Sequence, residues 1–77
     1  MTDLKVTFDA KADAAYVYLG DPQAHSQVAR TYLCDPVEAG MINLDFDDEG
    51  RLLGVEVLGA VSKLSRHLLD SAERLDT

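Results

Sequence analysis

The side chains best suited to chemistry in this sequence are the carboxylates of one segment, residues 45–56, which reads DFDDEGRLLGVE. Their spacing follows the calcium-binding loop of EF-hand proteins, in which a glycine allows the sharp turn at the centre. Gly50 stands at that turn, and Ca²⁺ prefers oxygen ligands of this kind. The acids at the liganding positions are Asp45, Asp47, Glu49 and Glu56.

The residues around this segment predict strands, whereas an EF-hand requires a helix on each side of its loop. Residues 42–46 and residues 53–57 alternate apolar and polar side chains, as half-buried strands do. Strand geometry would hold Asp45 and Glu56 in a ladder and away from a common ion. We therefore interpret the segment as a tight hairpin with an acidic, solvated tip, without a metal. The alternative is a metal- or small-ligand-binding protein, or a cryptic hydrolase, that uses this hairpin with Cys34.

The other reactive side chains lack the spacing of a catalytic or metal site. Cys34 is the single cysteine, and no motif places His25 or His67 beside it to act as a base. Two histidines and one cysteine do not give the usual zinc pattern, and the glycines are too scattered for a phosphate-binding loop. We therefore predict a protein that is not an enzyme and uses no cofactor.

The length and apolar content indicate one small domain that gains stability from self-association. The chain has 77 residues, of which 47% are hydrophobic, enough for one domain over residues 1–77. A domain of this size buries only about 60% of the surface that its unfolded chain exposes. Such domains often add disulfides, metals or oligomerisation, and a single cysteine excludes an intrachain disulfide. We therefore predict a homo-oligomer, with a dimer as its simplest form.

The charge distribution argues against nucleic acid and is compatible with solubility alone or with a basic protein as a partner. The formal net charge is −7, and such a field repels phosphate backbones. Residues 31–50 contain six acids and no Lys or Arg, which suits either solubility or a basic partner. The single thiol and the absence of a signal-like or membrane-length apolar run predict a cytoplasmic protein that does not bind membranes.

Hydrophobic periodicity predicts an α+β domain, an antiparallel β-meander of about five strands packed by one C-terminal helix. The strands are expected roughly at residues 4–8, 14–19, 27–34, 41–46 and 51–58. For residues 27–34 the alternation leaves open which face is buried. After Gly59 the apolar spacing changes to three or four, which predicts a helix roughly over residues 62–75. Ser62 is the expected N-cap, and Asp70 and Arg74 are spaced to form an i,i+4 ion pair.

A single helix of about 14 residues is roughly 21 Å long and can cover only part of one face of such a sheet. Tyr16 and Tyr18 point to the face opposite the apolar one, which we expect to remain open. With Arg30 and Tyr32 they have the composition of a partner or dimer face. Ordinary cross-strand packing of the same side chains is the alternative.

Two segments carry a resemblance to a known family. Residues 6–19, VTFDAKADAAYVYL, resemble the opening of the small prokaryotic and phage family catalogued as domain of unknown function 2283. Residues 42–58, INLDFDDEGRLLGVEVL, are similar to its second signature, an acidic hairpin followed by Gly-Ile/Val-Glu. The matching positions are Phe8, Asp9, Ala12, Asp13, Ala14, Tyr16, Asp45, Asp47, Gly50, Gly54 and Glu56.

The resemblance implies a protein without established enzymatic activity, because none is known for the family. Some members look like the antitoxin-like halves of two-gene cassettes, which implies a non-catalytic protein-interaction module. Asp9 and Asp13 are expected to accept hydrogen bonds from N–H groups of the first turn, and Glu56 to brace a neighbouring loop. The sequence departs from the family in a longer loop at residues 35–40 and a more extended C-terminal helix.

Overall fold

The computed structural model describes residues 4–34 and 41–76, and the loop at residues 35–40 lies outside this part. The α+β class is confirmed, with a mixed sheet and short helices within the described ranges. The strands are β1 (Lys5–Asp9), β2 (Ala14–Tyr18), β3 (Arg30–Leu33), β4 (Ile42–Phe46), β5 (Leu52–Leu58) and β6 (Glu73–Arg74). The helices are a 3₁₀ helix (Pro22–Gln27), α1 (Ala60–Lys63) and α2 (Arg66–Ser71).

The strand order is β3-β4-β5-β2-β1-β6, so the predicted antiparallel meander is wrong in two respects. The two-residue strand β6 runs parallel to β1, and β2 pairs with β5 instead of with β3. The chain therefore leaves β2 inside the sheet and crosses to its far edge before β3 begins. The 3₁₀ helix lies in this crossing, where Asp21 caps it by accepting a hydrogen bond from the Gln23 N–H at 3.0 Å.

The strand registers sort the side chains onto two faces. Phe8, Ala15 and Val57 align across β1, β2 and β5, and we call their side of the sheet the apolar face. The other side, which we call the tyrosine face, carries a row of side chains that continues from β1 to β3. This row consists of Thr7, Tyr16, Glu56, Asn43 and Leu33.

The prediction of one long C-terminal helix is wrong, because the chain breaks between α1 and α2. Leu64 and Ser65 have extended backbones, with ψ of 149° at both. The Ser65 hydroxyl accepts a hydrogen bond from the Leu68 N–H at 3.2 Å and so begins a second helix. Ser62 is not the N-cap of the first, since α1 begins after Gly59, at φ 70°, and the Ser62 hydroxyl donates to the Gly59 carbonyl.

The C-terminal charges also pair differently from the prediction. Asp70 contacts Arg66 at 3.9 Å, one helical turn before it, instead of Arg74. Arg74 lies in β6 and donates two hydrogen bonds of 2.9 Å to the carboxylate of Asp76. These bonds lower the pKa of Asp76 to about 2. The pairing changes because the helix ends at Ser71 and removes the i,i+4 geometry.

The core lies between α1, α2 and one half of the apolar face. Its buried members are Phe8, Ala15, Val57, Ala60 and Leu69, against which Val55, Leu64 and Ala72 pack. These residues come from β1, β2, β5 and the C-terminal segment, and none comes from β3 or β4. The two short helices therefore cover only the half of the apolar face that β1, β2 and β5 form.

Asp13 ties the first hairpin to the start of α1, although we expected it to bond within the hairpin turn. Its carbonyl accepts hydrogen bonds from Gly59 and Ala60 at 2.8 and 3.0 Å, and its carboxylate accepts one from the Val61 N–H at 2.9 Å. Its backbone has φ 52°, a conformation that aspartate tolerates better than most residues. Asp9 does bond within the turn, where its carboxylate accepts from the N–H groups of residues 11 and 12 at 3.0 and 3.2 Å.

Candidate functional site

The most constrained polar group on the tyrosine face is the carboxylate of Asp45, on β4. The Tyr16 hydroxyl donates to its Oδ2 at 2.6 Å, and the Thr31 hydroxyl donates to its Oδ1 at 2.6 Å. The Asp45 side chain is only 7% exposed, so both hydrogen bonds are partly sheltered from water. Hydrogen bonds to an ionised carboxylate are short and strong, and these two connect β2 and β3 to β4. We call these three residues the Asp45 network.

The Tyr16 side chain reaches Asp45 because Gly54 leaves room for its ring. Tyr16 pairs with Glu56 on β5, and its ring extends across that strand at Gly54, which pairs with Asp45. A Cβ atom at Gly54 would lie 2.5 Å from the Tyr16 hydroxyl oxygen and 2.7 Å from Cζ. Both distances are far below van der Waals contact, so the network requires glycine at this position.

A second polar pair lies beside this network on the same face. The Asn43 Nδ2 donates to Glu56 Oε1 at 2.8 Å, and this bond fixes the orientation of the amide, since the reverse orientation would place oxygen against oxygen. Asn43 is 7% exposed, and its Oδ1 has no hydrogen-bond partner within the described ranges. Glu56 therefore braces the neighbouring strand β4 instead of the loop that we expected.

An aromatic cluster covers part of the tyrosine face. The ring centroids of Tyr16 and Tyr18 are 4.7 Å apart, and the His25 ring lies 4.9 Å from Tyr16 and 5.8 Å from Tyr18. His25 belongs to the 3₁₀ helix of the crossing connection. The expectation that this face stays open is therefore wrong at Tyr16 and Tyr18, because the chain itself crosses over them.

The electrostatics of the Asp45 network favour a structural role. Burial raises the pKa of Tyr16 above its ordinary value, and the hydrogen bond to Asp45 and the nearby negative charges raise it further. The phenol therefore keeps its proton and acts as a hydrogen-bond donor. Both oxygens of Asp45 already accept from hydroxyl groups, so neither side chain is prepared to take a proton from a substrate.

The acids of the hairpin do not converge on one point. Asp47 accepts hydrogen bonds from the N–H groups of Glu49 and Arg51, both at 2.9 Å, and so holds the turn in which Gly50 adopts φ 81°. Asp45 and Glu56 bond to other side chains of the sheet. Within residues 4–34 and 41–76, no group of three or more His, Cys, Asp or Glu side chains is arranged to hold a metal ion.

The proposed partner residues Arg30 and Tyr32 lie on the opposite side of the sheet from Tyr16 and Tyr18. Thr31, between them, faces Asp45, so the alternation of β3 turns Arg30 and Tyr32 to the apolar face. The four residues therefore do not form one surface. The prediction that they share one face is wrong, because the alternation in residues 27–34 did not determine which side of this strand is buried.

Arg30 and Tyr32 instead form an apolar depression with two side chains of β4. It has a volume of about 480 Å³, and the Arg30 guanidinium lies 5.9 Å from the centre of the Phe46 ring. Tyr32 is 61% exposed. We call this surface the β3–β4 patch. It is lined by Arg30, Thr31, Tyr32, Leu44 and Phe46, although the Thr31 hydroxyl bonds to Asp45 on the other face.

The thiol and the two imidazoles occupy separate places. Cys34 is half-buried just after β3, where its N–H donates to the Ile42 carbonyl at 3.0 Å. His25 lies in the aromatic cluster, and His67 is exposed on α2. Sequence analysis missed Thr31 and Asn43 as site residues. Each could have been recognised as a polar side chain that lies on a strand and faces an acid of the neighbouring strand.

A family model described as "Protein of unknown function (DUF2283)" matches residues 5–60. The matched range runs from β1 to the first residue of α1, and thus includes the Asp45 network and the β3–β4 patch. No curated protein and no solved structure matches the chain. In the described part, no helix has the length and apolar character needed to cross a membrane.

Proposed function

The chain belongs to the DUF2283 family, whose function is unknown, and we propose that it acts as a non-catalytic protein-interaction module that associates with a second copy of itself. The β3–β4 patch carries this proposal. It continues the apolar face beyond the half that α1 and α2 cover, and it includes β3, the edge strand of the described sheet. An apolar surface beside an unpaired edge is the usual setting of a protein interface.

The charge of the patch suits a second copy of this chain. The protein has a net charge of −7, so two copies repel each other wherever their acids meet. The β3–β4 patch includes Arg30 and no acidic side chain. The acid nearest to it in the sheet, Asp45, faces the other side and is held by Tyr16 and Thr31. Self-association through this patch therefore brings together two surfaces that are lined by no acidic side chain.

The acidic hairpin supports a second contact, with a basic protein. Asp48 and Glu49 are exposed at its tip, whereas Asp47 is used to hold the turn. Glu49 also contacts Arg51 at 3.6 Å, but both acids remain exposed to solvent and would attract a partner rich in Lys and Arg, with a rate that falls as salt is added. An antitoxin-like role, in which the module neutralises such a partner, is the finer form of this proposal and rests on the family resemblance.

Light scattering over a micromolar to millimolar concentration series tests self-association. We expect the mass to rise from one chain towards two, and Tyr32→Lys to hold it near one chain, because a buried charge in the patch would be desolvated. Leu75→Lys is the matched control. Leu75 is 56% exposed against 61% for Tyr32, but it lies beside β6 at the other edge of the sheet.

Two outcomes would contradict this function. A wild-type protein that remains one chain throughout the series would exclude self-association. Equal loss of the dimer in Tyr32→Lys and Leu75→Lys would show that added charge matters and that the patch does not.

A further inference from the structure

β3 is the outer strand of the described sheet, and its backbone groups alternate between β4 and the outer edge of that sheet. The Cys34 N–H donates to the Ile42 carbonyl at 3.0 Å, in register with the pairing of Tyr32 with Leu44. Hydrogen-bonded pairs occur at every second residue of an antiparallel ladder. Tyr32 therefore directs its N–H and C=O groups to β4, while Thr31 and Leu33 direct theirs outward.

We infer that two copies pair antiparallel along β3, with Tyr32 of one chain opposite the partner's Tyr32. This inference rests on the proposed self-association and adds the strand and the register through which it occurs. The result is one continuous sheet through both protomers, with the two β3–β4 patches side by side on the same face. The surface is isologous, because each copy contributes the same strand.

Symmetry limits this pairing to registers in which opposite residues share a face. A two-fold axis perpendicular to the sheet places the same face of both chains on the same side. A residue of one chain therefore lies opposite its own copy in the partner, or opposite a partner residue whose number differs from its own by an even number. Among the registers that satisfy this rule, two pair three of the four residues of β3 with β3 residues of the partner. One places Thr31 opposite the partner's Thr31, and the other places Tyr32 opposite the partner's Tyr32.

The available hydrogen-bonding groups favour the Tyr32 register. It pairs Thr31 with the partner's Leu33 twice, and all four of these residues direct their backbone groups to the edge. The Thr31 register pairs Leu33 with the partner's Ala29, but the Ala29 N–H already donates to the Phe46 carbonyl at 2.8 Å. The Tyr32 register thus satisfies every outward N–H and C=O group of β3, and the Thr31 register does not.

The side chains support the same register. Tyr32 and Leu33 are 61% and 62% exposed in one chain, and pairing covers both, on opposite faces of the extended sheet. Tyr32 falls at a pair without mutual hydrogen bonds, where side chains approach most closely, so the two rings meet at the axis. Arg30 lies opposite the partner's Cys34, and no acid lies within β3 itself.

Cysteine scanning in a Cys34→Ser background tests the register. Opposed Cα atoms at such a pair lie about 4.5 Å apart, within the range that a disulfide spans. We expect Tyr32→Cys to form an intermolecular disulfide under mild oxidation, and Thr31→Cys or Leu33→Cys alone to remain mostly uncrosslinked. A mixture of Thr31→Cys and Leu33→Cys chains should form a disulfide between the two variants. Both variants keep Tyr32, so this crosslink also tests the register when the Tyr32 ring is required for association.

Each other result overturns a distinct part of the inference. Efficient crosslinking of Thr31→Cys to itself would establish the Thr31 register. A dimer by light scattering without a disulfide at any of these positions would exclude pairing along β3 and leave the proposed self-association standing. A monomer by light scattering would exclude the proposed function and this geometry together.

Discussion

Gly54→Ala is expected to destabilise the domain by about 3 kcal/mol, of which overpacking and the loss of a charge-assisted hydrogen bond each supply a part. The new methyl group would occupy the space of the Tyr16 ring, with its Cβ 2.7 Å from Cζ. The ring must then move away from β5, and its hydroxyl loses the carboxylate of Asp45. For a domain of this size that loss is a large fraction of the free energy of unfolding.

The same substitution in a Tyr16→Ala background separates this cause from a general effect of glycine replacement. Gly54 has no positive φ, so alanine fits its backbone, and without the ring above it Gly54→Ala should stabilise the protein by about 0.5 kcal/mol. Chemical denaturation of the four proteins gives the coupling free energy. If Gly54→Ala costs as much without the Tyr16 ring as with it, the close approach of ring and strand is not the reason for this glycine.

Stability is expected to fall steeply above pH 10, and Tyr16 is the reason. Burial, followed by the hydrogen bond and charge of Asp45, raises the pKa of Tyr16 in the folded protein, while the unfolded chain has a tyrosine pKa of about 10. The stabilising contribution is complete below that pH. Above it the unfolded state loses a proton that the folded state keeps, so the free energy of unfolding drops by up to about 1.4 kcal/mol per pH unit for this group.

Denaturation of wild type and Tyr16→Phe between pH 8 and 11.5 measures this contribution. Tyr16→Phe should be less stable near neutral pH, because Asp45 loses a donor, and the two stability curves should converge as pH rises. Tyr18→Phe is the matched control, since the Tyr18 ring contacts that of Tyr16, with centroids 4.7 Å apart, but no hydrogen bond to its hydroxyl occurs among the described side chains. Parallel curves for wild type and Tyr16→Phe would show that Tyr16 titrates alike in both states.

The strands could be predicted from alternation because successive side chains of a strand point to opposite faces of the sheet. The covering of the tyrosine face by another part of the chain could not be predicted in this way. Its cover comes from His25, in a polar connection whose path depends on β2 pairing with β5. Strand order is a long-range property, and the alternation of Tyr16 and Tyr18 with apolar neighbours is the same in a meander and in this sheet.

The C-terminal segment shows why apolar spacing alone misjudges a helix. Its apolar residues recur every three or four positions, which one long helix or two short helices satisfy equally well. Ser65 decides between them, because its hydroxyl caps Leu68 and competes with continuation of α1. A serine inside the predicted helix, three residues before an apolar residue, indicated that a new helix could begin there.

Three of the positions that carried the family resemblance form one physical unit. Tyr16 belongs to the first signature, and Gly54 and Asp45 belong to the second, but the sequence did not reveal their contact. The structure joins them through the ring of Tyr16, which crosses over Gly54 to reach Asp45. Asp45, one of the four acids at the liganding positions of the calcium-loop pattern, is thus a buried acceptor that holds three strands together.

The most direct test of the account is amide hydrogen exchange in β3 at low and high protein concentration. The Tyr32 N–H faces β4 and should be protected at both concentrations, which makes it the internal reference. The Thr31 and Leu33 N–H groups face the edge, and we expect them to exchange freely in dilute protein and to become protected when it is concentrated. Free exchange of both at high concentration, with Tyr32 still protected, would contradict the claim that a second copy covers this edge.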